Sequence, residues 1–141
     1  MSDEVMIITP ETGAGRGGLA DYTHRIVAEW GGAIASRIIV PNDAATLRDQ
    51  LPQSGGRVLL QYSAYGYDRL GYPRWLLREL TDWKQASGGL LVLMLHEIWA
   101  FWPALNKNRL VQHMHRRELR RVLQAADAVF TSTASHAGHL Q

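Results

Sequence analysis

Cysteine is missing altogether from the 141 residues. Its absence excludes disulfides, thiolate-held metals and a cysteine nucleophile, and says nothing about compartment. Surplus charge is nearly missing too. Fifteen Lys and Arg stand against 13 Asp and Glu, a formal net charge of +2. Despite a pI near 9.2, that balance gives no argument for nucleic acid as a partner. No long apolar run is present, since the longest, "LLVLML" at 90–95, is far too short to cross a bilayer. The opening "MSDE" is acidic and lacks the basic-then-apolar form of a signal peptide. Internal repeats and low-complexity tracts are lacking as well. A soluble, cytoplasmic protein is the expectation.

What is there is ordinary globular material, 46% apolar and 20% charged, in a length that fits one domain with a real core. Short β-rich runs alternate with helical spacing along the chain. "EVMIITP", "SRIIVP", "RVLLQYS", "LLVLMLHE" and "DAVFTS" read as strands. Between them, 19–30, 42–52, 73–87 and 106–126 read as helices, with Asn42 or Asp43 as one cap and Gly31-Gly32 and Gly88-Gly89 as stops. The run "LLVLML" suits a strand buried on both faces. Strand–helix alternation repeated five times predicts a doubly wound α/β fold, a Rossmann-like parallel sheet of five strands with helices on both faces. A last helix starts in "TASHAGHLQ" and the chain ends without a stop signal. The chain is therefore expected to be a piece of something longer.

Ligands of open parallel sheets bind beyond the carboxyl ends of the strands, near the point where strand order reverses. Three loops leaving that edge have unusual contents: "PETGAGRGG", "YSAYGYDRLGYP" and "HEIWAFWP". The first formally matches G-x-G-x-x-G. However, "TPET" intervenes between strand and glycines, no acidic residue ends the second strand, and the lysine and hydroxyl of a P-loop are lacking. Gly17-Gly18 at a helix start can present free backbone N–H groups to an anion such as phosphate, with Arg16 as an added charge. The bland alternative is that the glycines only permit the turn.

His96 and Glu97 end a buried strand, where a histidine can donate to a sugar hydroxyl or a phosphate oxygen; the alternative is a hydrogen bond to backbone. The zinc-protease pattern fails, because residue 100 is alanine. Tyr62, Tyr65, Tyr67 and Tyr72 fall in one loop region and Trp99, Phe101 and Trp102 in the next. Seven aromatics at one sheet edge exceed what packing requires and suit stacking on sugars, bases or lipid chains. On helix 106–126, Arg109, His113, Arg116 and Arg120 share one face, widened by Arg117 and Arg121, with Val111, Met114, Val122 and Leu123 mostly opposite. That face is either simply solvated or a contact for anionic headgroups or phosphorylated ligands. His113 and His115 project to different sides and do not make a metal pair.

Taken in order, "GGLADYTHRI", "LLQYSAYGY", "LMLHEIW" and "ADAVFTSTASHAGHL" resemble the N-terminal domain of family 4 (group 1) glycosyltransferases of the GT-B fold. The likeness runs from about residue 5 to the end. It implies that residues 1–141 are the acceptor-side half of a two-domain enzyme, whose C-terminal nucleotide-sugar-binding domain is absent here. It also implies a retaining, metal-independent, hexosyltransferase-type reaction that moves a sugar from a nucleotide-sugar to a glycan, glycolipid or small glycoside. No cofactor is implied, the nucleotide-sugar being a substrate. By the same resemblance Gly17 and Gly18 face the donor phosphates and acceptor, and His96 lies by the transferred sugar as a catalytic-site positioning group. Arg16, Tyr62, Tyr65, Glu97 and Trp99 are candidate substrate contacts. The family's strand order, 2-1-3-4-5, is implied as well; pattern alone leaves 3-2-1-4-5 open. Residues 1–141 alone are expected to be inactive, because transition-state stabilisation needs both walls of the cleft. Peripheral contact with the inner face of the membrane through helix 106–126, by Arg109, Arg116 and Arg120, is a further expectation. The alternative function is a non-catalytic Rossmann-like or flavodoxin-like module holding a nucleotide, a sugar phosphate or a protein partner.

Overall fold

The computed structural model describes residues 3–11, 18–96 and 109–131. Runs rich in Val, Ile and Leu form five strands: β1 (Val5–Ile8), β2 (Ser36–Ile39), β3 (Arg57–Tyr62), β4 (Leu90–Leu95) and β5 (Ala128–Thr131). All pair in parallel, in the order β2-β1-β3-β4-β5. Both the α/β class and the strand order implied by the resemblance are observed. The chain reverses direction across the sheet between β1 and β3, which makes the carboxyl ends of these two strands the switch point.

The helices are α1 (Gly18–Glu29), α2 (Ala44–Gln50), α3 (Ala64–Tyr67), α4 (Arg74–Ser87) and α5 (Arg109–Ala125). Asp43 caps α2, its carboxylate accepting from the Thr46 backbone N–H at 2.8 Å. That bond holds the Asp43 carboxyl below its usual range. Gly88, at φ 65°, ends α4 in the left-handed conformation that glycine adopts without a Cβ clash. The short α3 lies where sequence pattern gave only a loop.

Helices α2, α4 and α5 cover one face of the sheet, with α4 between the other two. Leu47, Leu76, Leu77, Leu80, Leu119 and Val122 close there on Met6, Ile8, Val58, Leu60, Leu91, Leu93 and Leu95. Side chains alternate across a strand, so Ile7, Leu59 and Gln61 turn to the opposite face, where α1 lies. At the amino ends of the strands, Asp127 accepts from the Leu91 N–H at 2.7 Å and from Lys84 Nζ at 2.6 Å. The lysine contact, with the Leu91 bond, holds the Asp127 carboxyl low. Among the described residues no helix is long and apolar enough to cross a membrane.

Helix α5 departs from the expected pattern. Val122 is buried, and Val111 and Leu123 pack partly against the core, but Met114 is 37% exposed. Gln112, His115 and Glu118 are buried instead. Polar side chains are tolerated inside where they find polar partners, as His115 and Glu118 do. The Tyr62 hydroxyl meets His115 Nε2, and Glu118 accepts from Arg78 of α4 at 3.3 Å.

Candidate functional site

Parallel strands β1, β3 and β4 end side by side, and the described residues just after them, 9–11, 63–67 and His96, lie along one rim. Close packing holds the first two together. Gly66 of α3 lies so near Pro10, just after β1, that a Cβ built on it would stand 2.8 Å from the proline ring carbons. The glycine is required by that approach, not by its torsion. Pairing of β3 with β4 runs one residue past the strand, the His96 N–H donating to the Tyr62 carbonyl at 3.0 Å. This extra bond fixes His96 at the lip of the sheet.

The His96 ring turns to the α1 side and is only partly buried. Tyr22 of α1 meets it edge-on, with ring centroids 5.2 Å apart and planes at 79°. Tyr22 lies one turn beyond Gly18 on the same helix face. The contact brings α1 against the imidazole, with Gly18 one helical turn away from Tyr22. A Cβ at Gly18 would meet nothing within 4 Å among the described residues, and no positive φ requires glycine there. Among the described residues, then, neither packing nor backbone torsion demands glycine at this position.

Beneath the imidazole sits Gln61, fully buried, its amide oxygen 2.6 Å from His96 Nε2. Its amide nitrogen has no hydrogen-bond partner among the described residues. Sequence reading passed over Gln61 and Tyr22. The signal for Gln61 was present: one amide inside the apolar strand "VLLQY", where a polar side chain is costly unless it is bonded.

Of the aromatics, Tyr65 lies on the rim as expected, 55% exposed on α3. Tyr62 does not. Its side chain is fully buried, bonded to His115 on the α5 side of the sheet, and offers no surface to a ligand. As the last residue of β3 it follows the strand's alternation inward, which overrides its place at the end of the strand. Tyr67 donates to the Gln61 carbonyl at 2.7 Å, and burial pushes its hydroxyl well above the usual tyrosine range. Tyr72 tilts against His115 with centroids 5.5 Å apart. Burial, then the nearby Glu118, raises the Tyr72 hydroxyl too. Three of the four described aromatics therefore build structure under the rim, and Tyr65 alone of these four offers an exposed ring. Arg16, Gly17, Glu97, Trp99, Phe101 and Trp102 lie outside the described residues.

Beneath the rim, His115 is fully buried among Tyr62, Tyr72 and Glu118. Burial lowers its pKa to about 4, against a smaller upward pull from Asp68. It is a structural histidine, neutral at ordinary pH. His113 is exposed, so the two do diverge. Arg109 and Arg120 are exposed and Arg116 is half-buried. This arginine face is on the far side of α5 from the core, separate from the rim.

A cavity of about 240 Å³ opens between α2 and α4, lined by Arg48, Leu51, Glu79 and Trp83 among others. Arg48 and Glu79 in its wall pair with each other. The rim is the better candidate because it joins a helix start, a polar pair and the switch point. Among the described residues no three His, Asp or Glu side chains are grouped as metal ligands. No protein-family model, curated protein or solved structure matches the chain.

Proposed function

We propose that the chain is the acceptor-side domain of a retaining glycosyltransferase of the GT-B type, and that the rim is its half of the sugar-handling cleft. One observation carries the reading: α1 and the imidazole of His96 meet through Tyr22 at the carboxyl end of β4, beside the switch point of the sheet. Backbone N–H groups at Gly18 suit a phosphate or hydroxyl oxygen, because a helix start carries the positive end of the helix dipole. His96 brings a partly buried imidazole, a group suited to hydrogen-bonding hydroxyls, to the rim. Tyr65 adds an exposed ring for the face of a sugar. The order of motifs from "GGLADYTHRI" to "ADAVFTSTASHAGHL" supports the same family.

On this reading the nucleotide-sugar is held mainly by a second domain. Residues 1–141 alone bind an acceptor and turn over nothing. The proposed location is the cytoplasm, at the inner face of the membrane. α5 turns Arg109, Arg117 and Arg120 outward beside Leu110, which is 72% exposed, and cations beside an apolar residue suit anionic headgroups.

Amide NMR spectra of the chain, titrated with monomeric octyl β-glucoside and separately with UDP-glucose, test the assignment. Saturable shifts at Gly18, Tyr22, Tyr65 and His96 with the glucoside are expected. Tight binding of UDP-glucose alone would favour a nucleotide-binding module instead. Shifts confined to Arg48 and Trp83, or none at all, would overturn the reading.

A further inference from the structure

A glutamine inside a buried strand needs a reason. Leu or Met would pack against the same neighbours without burying an amide. Gln61 is fully buried, registers with Met94 on β4, and has its backbone carbonyl occupied by the Tyr67 hydroxyl. Its amide oxygen lies 2.6 Å from His96 Nε2, while its amide nitrogen finds no partner among the described residues. A fold that tolerates a half-used buried amide gains from the half in use. That half ends on the imidazole.

We propose that Gln61 is the positioning residue of His96, holding the ring as its Nε2–H tautomer so that the lone pair resides on Nδ1. The argument is one of hydrogen-bond chemistry. An amide oxygen only accepts, so the ring nitrogen facing it carries the hydrogen. In a neutral imidazole the other nitrogen is then the acceptor. Tyr22 packs edge-on against the same ring and limits its rotation. His96 is thereby held in one tautomer, with Nδ1 as its accepting nitrogen. That assignment stands independently of the function proposed above.

Long-range ¹H–¹⁵N correlation spectra of the histidine rings, recorded on the labelled chain near neutral pH, test it. Wild-type His96 is expected as the Nε2–H tautomer. Gln61→Met, similar in length and without the amide, should leave a mixture of tautomers. Gln61→Glu keeps an acceptor and should restore Nε2–H, while moving the His96 titration midpoint up by about one pH unit or more, as a carboxylate at hydrogen-bond distance does. A wild-type ring protonated at Nδ1, or a tautomer unchanged in Gln61→Met, would overturn the proposal. Should Gln61→Met fail to fold, the wild-type tautomer and the Gln61→Glu midpoint decide the matter. Loss of glucoside binding with the tautomer as expected would instead count against the sugar-handling reading and leave the positioning role standing.

Discussion

Lowering the pH from 7 to 4 should destabilise the fold through His115, one buried imidazole beneath the rim. Its folded pKa is about 4, against 6.5 for the free side chain, because burial penalises the charged form more than Asp68 favours it. Below 6.5 the unfolded chain takes up a proton that the folded chain refuses until about pH 4. The unfolded state thus binds more protons across this window, and stability falls as pH falls through it. A displacement of roughly 2.5 pH units corresponds to about 3 kcal/mol at the lower limit. Urea unfolding at half-unit steps from pH 7 to 4 measures it. His115→Gln keeps a side-chain partner for the Tyr62 hydroxyl and removes the titration. Subtracting its profile from wild type cancels what the other groups contribute. The carboxyls of Asp43 and Asp127, held low, lose their contribution only at the acid end of the range and in both proteins. A wild-type profile parallel to that of His115→Gln between pH 6.5 and 4 would refute the reasoning.

Gly66→Ala should cost about 1–3 kcal/mol, since the new methyl meets the rigid Pro10 ring at 2.8 Å and one of the two rim segments must move; thermal melts check the cost, and displaced Tyr65 and Pro10 resonances check the cause. Leu93→Ala, at a fully buried position, should cost about 2–5 kcal/mol by denaturant unfolding and leave rim resonances in place. Vesicles rich in phosphatidylglycerol should bind the chain in a salt-sensitive way, and Arg109→Glu with Arg120→Glu should abolish it. Equal binding to phosphatidylcholine vesicles, or no effect of the charge reversals, would remove α5 as a membrane contact.

The fold was legible because its signals are local and repeated. Pro-, Gly- and Asp-bounded runs gave every strand, and Asp43, Gly31 and Gly88 marked helix ends where they occur. Side-chain direction at the edge was harder to read. Tyr62 and Gln61 are neighbours on one strand, yet the first turns into the α5 core and the second toward α1. A shift of one residue in the alternation exchanges their roles, and loop-like surroundings in "QYSAYGY" hide that phase. The arginine-rich pattern of α5 does not mark His115 or Glu118 as buried. They are inside because Tyr62, Tyr72 and Arg78 approach from elements distant in the chain, which a single-helix pattern cannot show. His96 was legible as a rim residue from its place after an apolar strand, whereas its contacts with Gln61 and Tyr22 were not, since both are tertiary.

The central claim is that a ligand comes close to the backbone at Gly18, and Gly18→Val tests it most directly. A side chain there enters space empty of described protein atoms, so the melting temperature should hold while affinity for octyl β-glucoside falls at least about tenfold, the loss of roughly 1.4 kcal/mol. Unchanged affinity in a folded Gly18→Val chain would contradict the account.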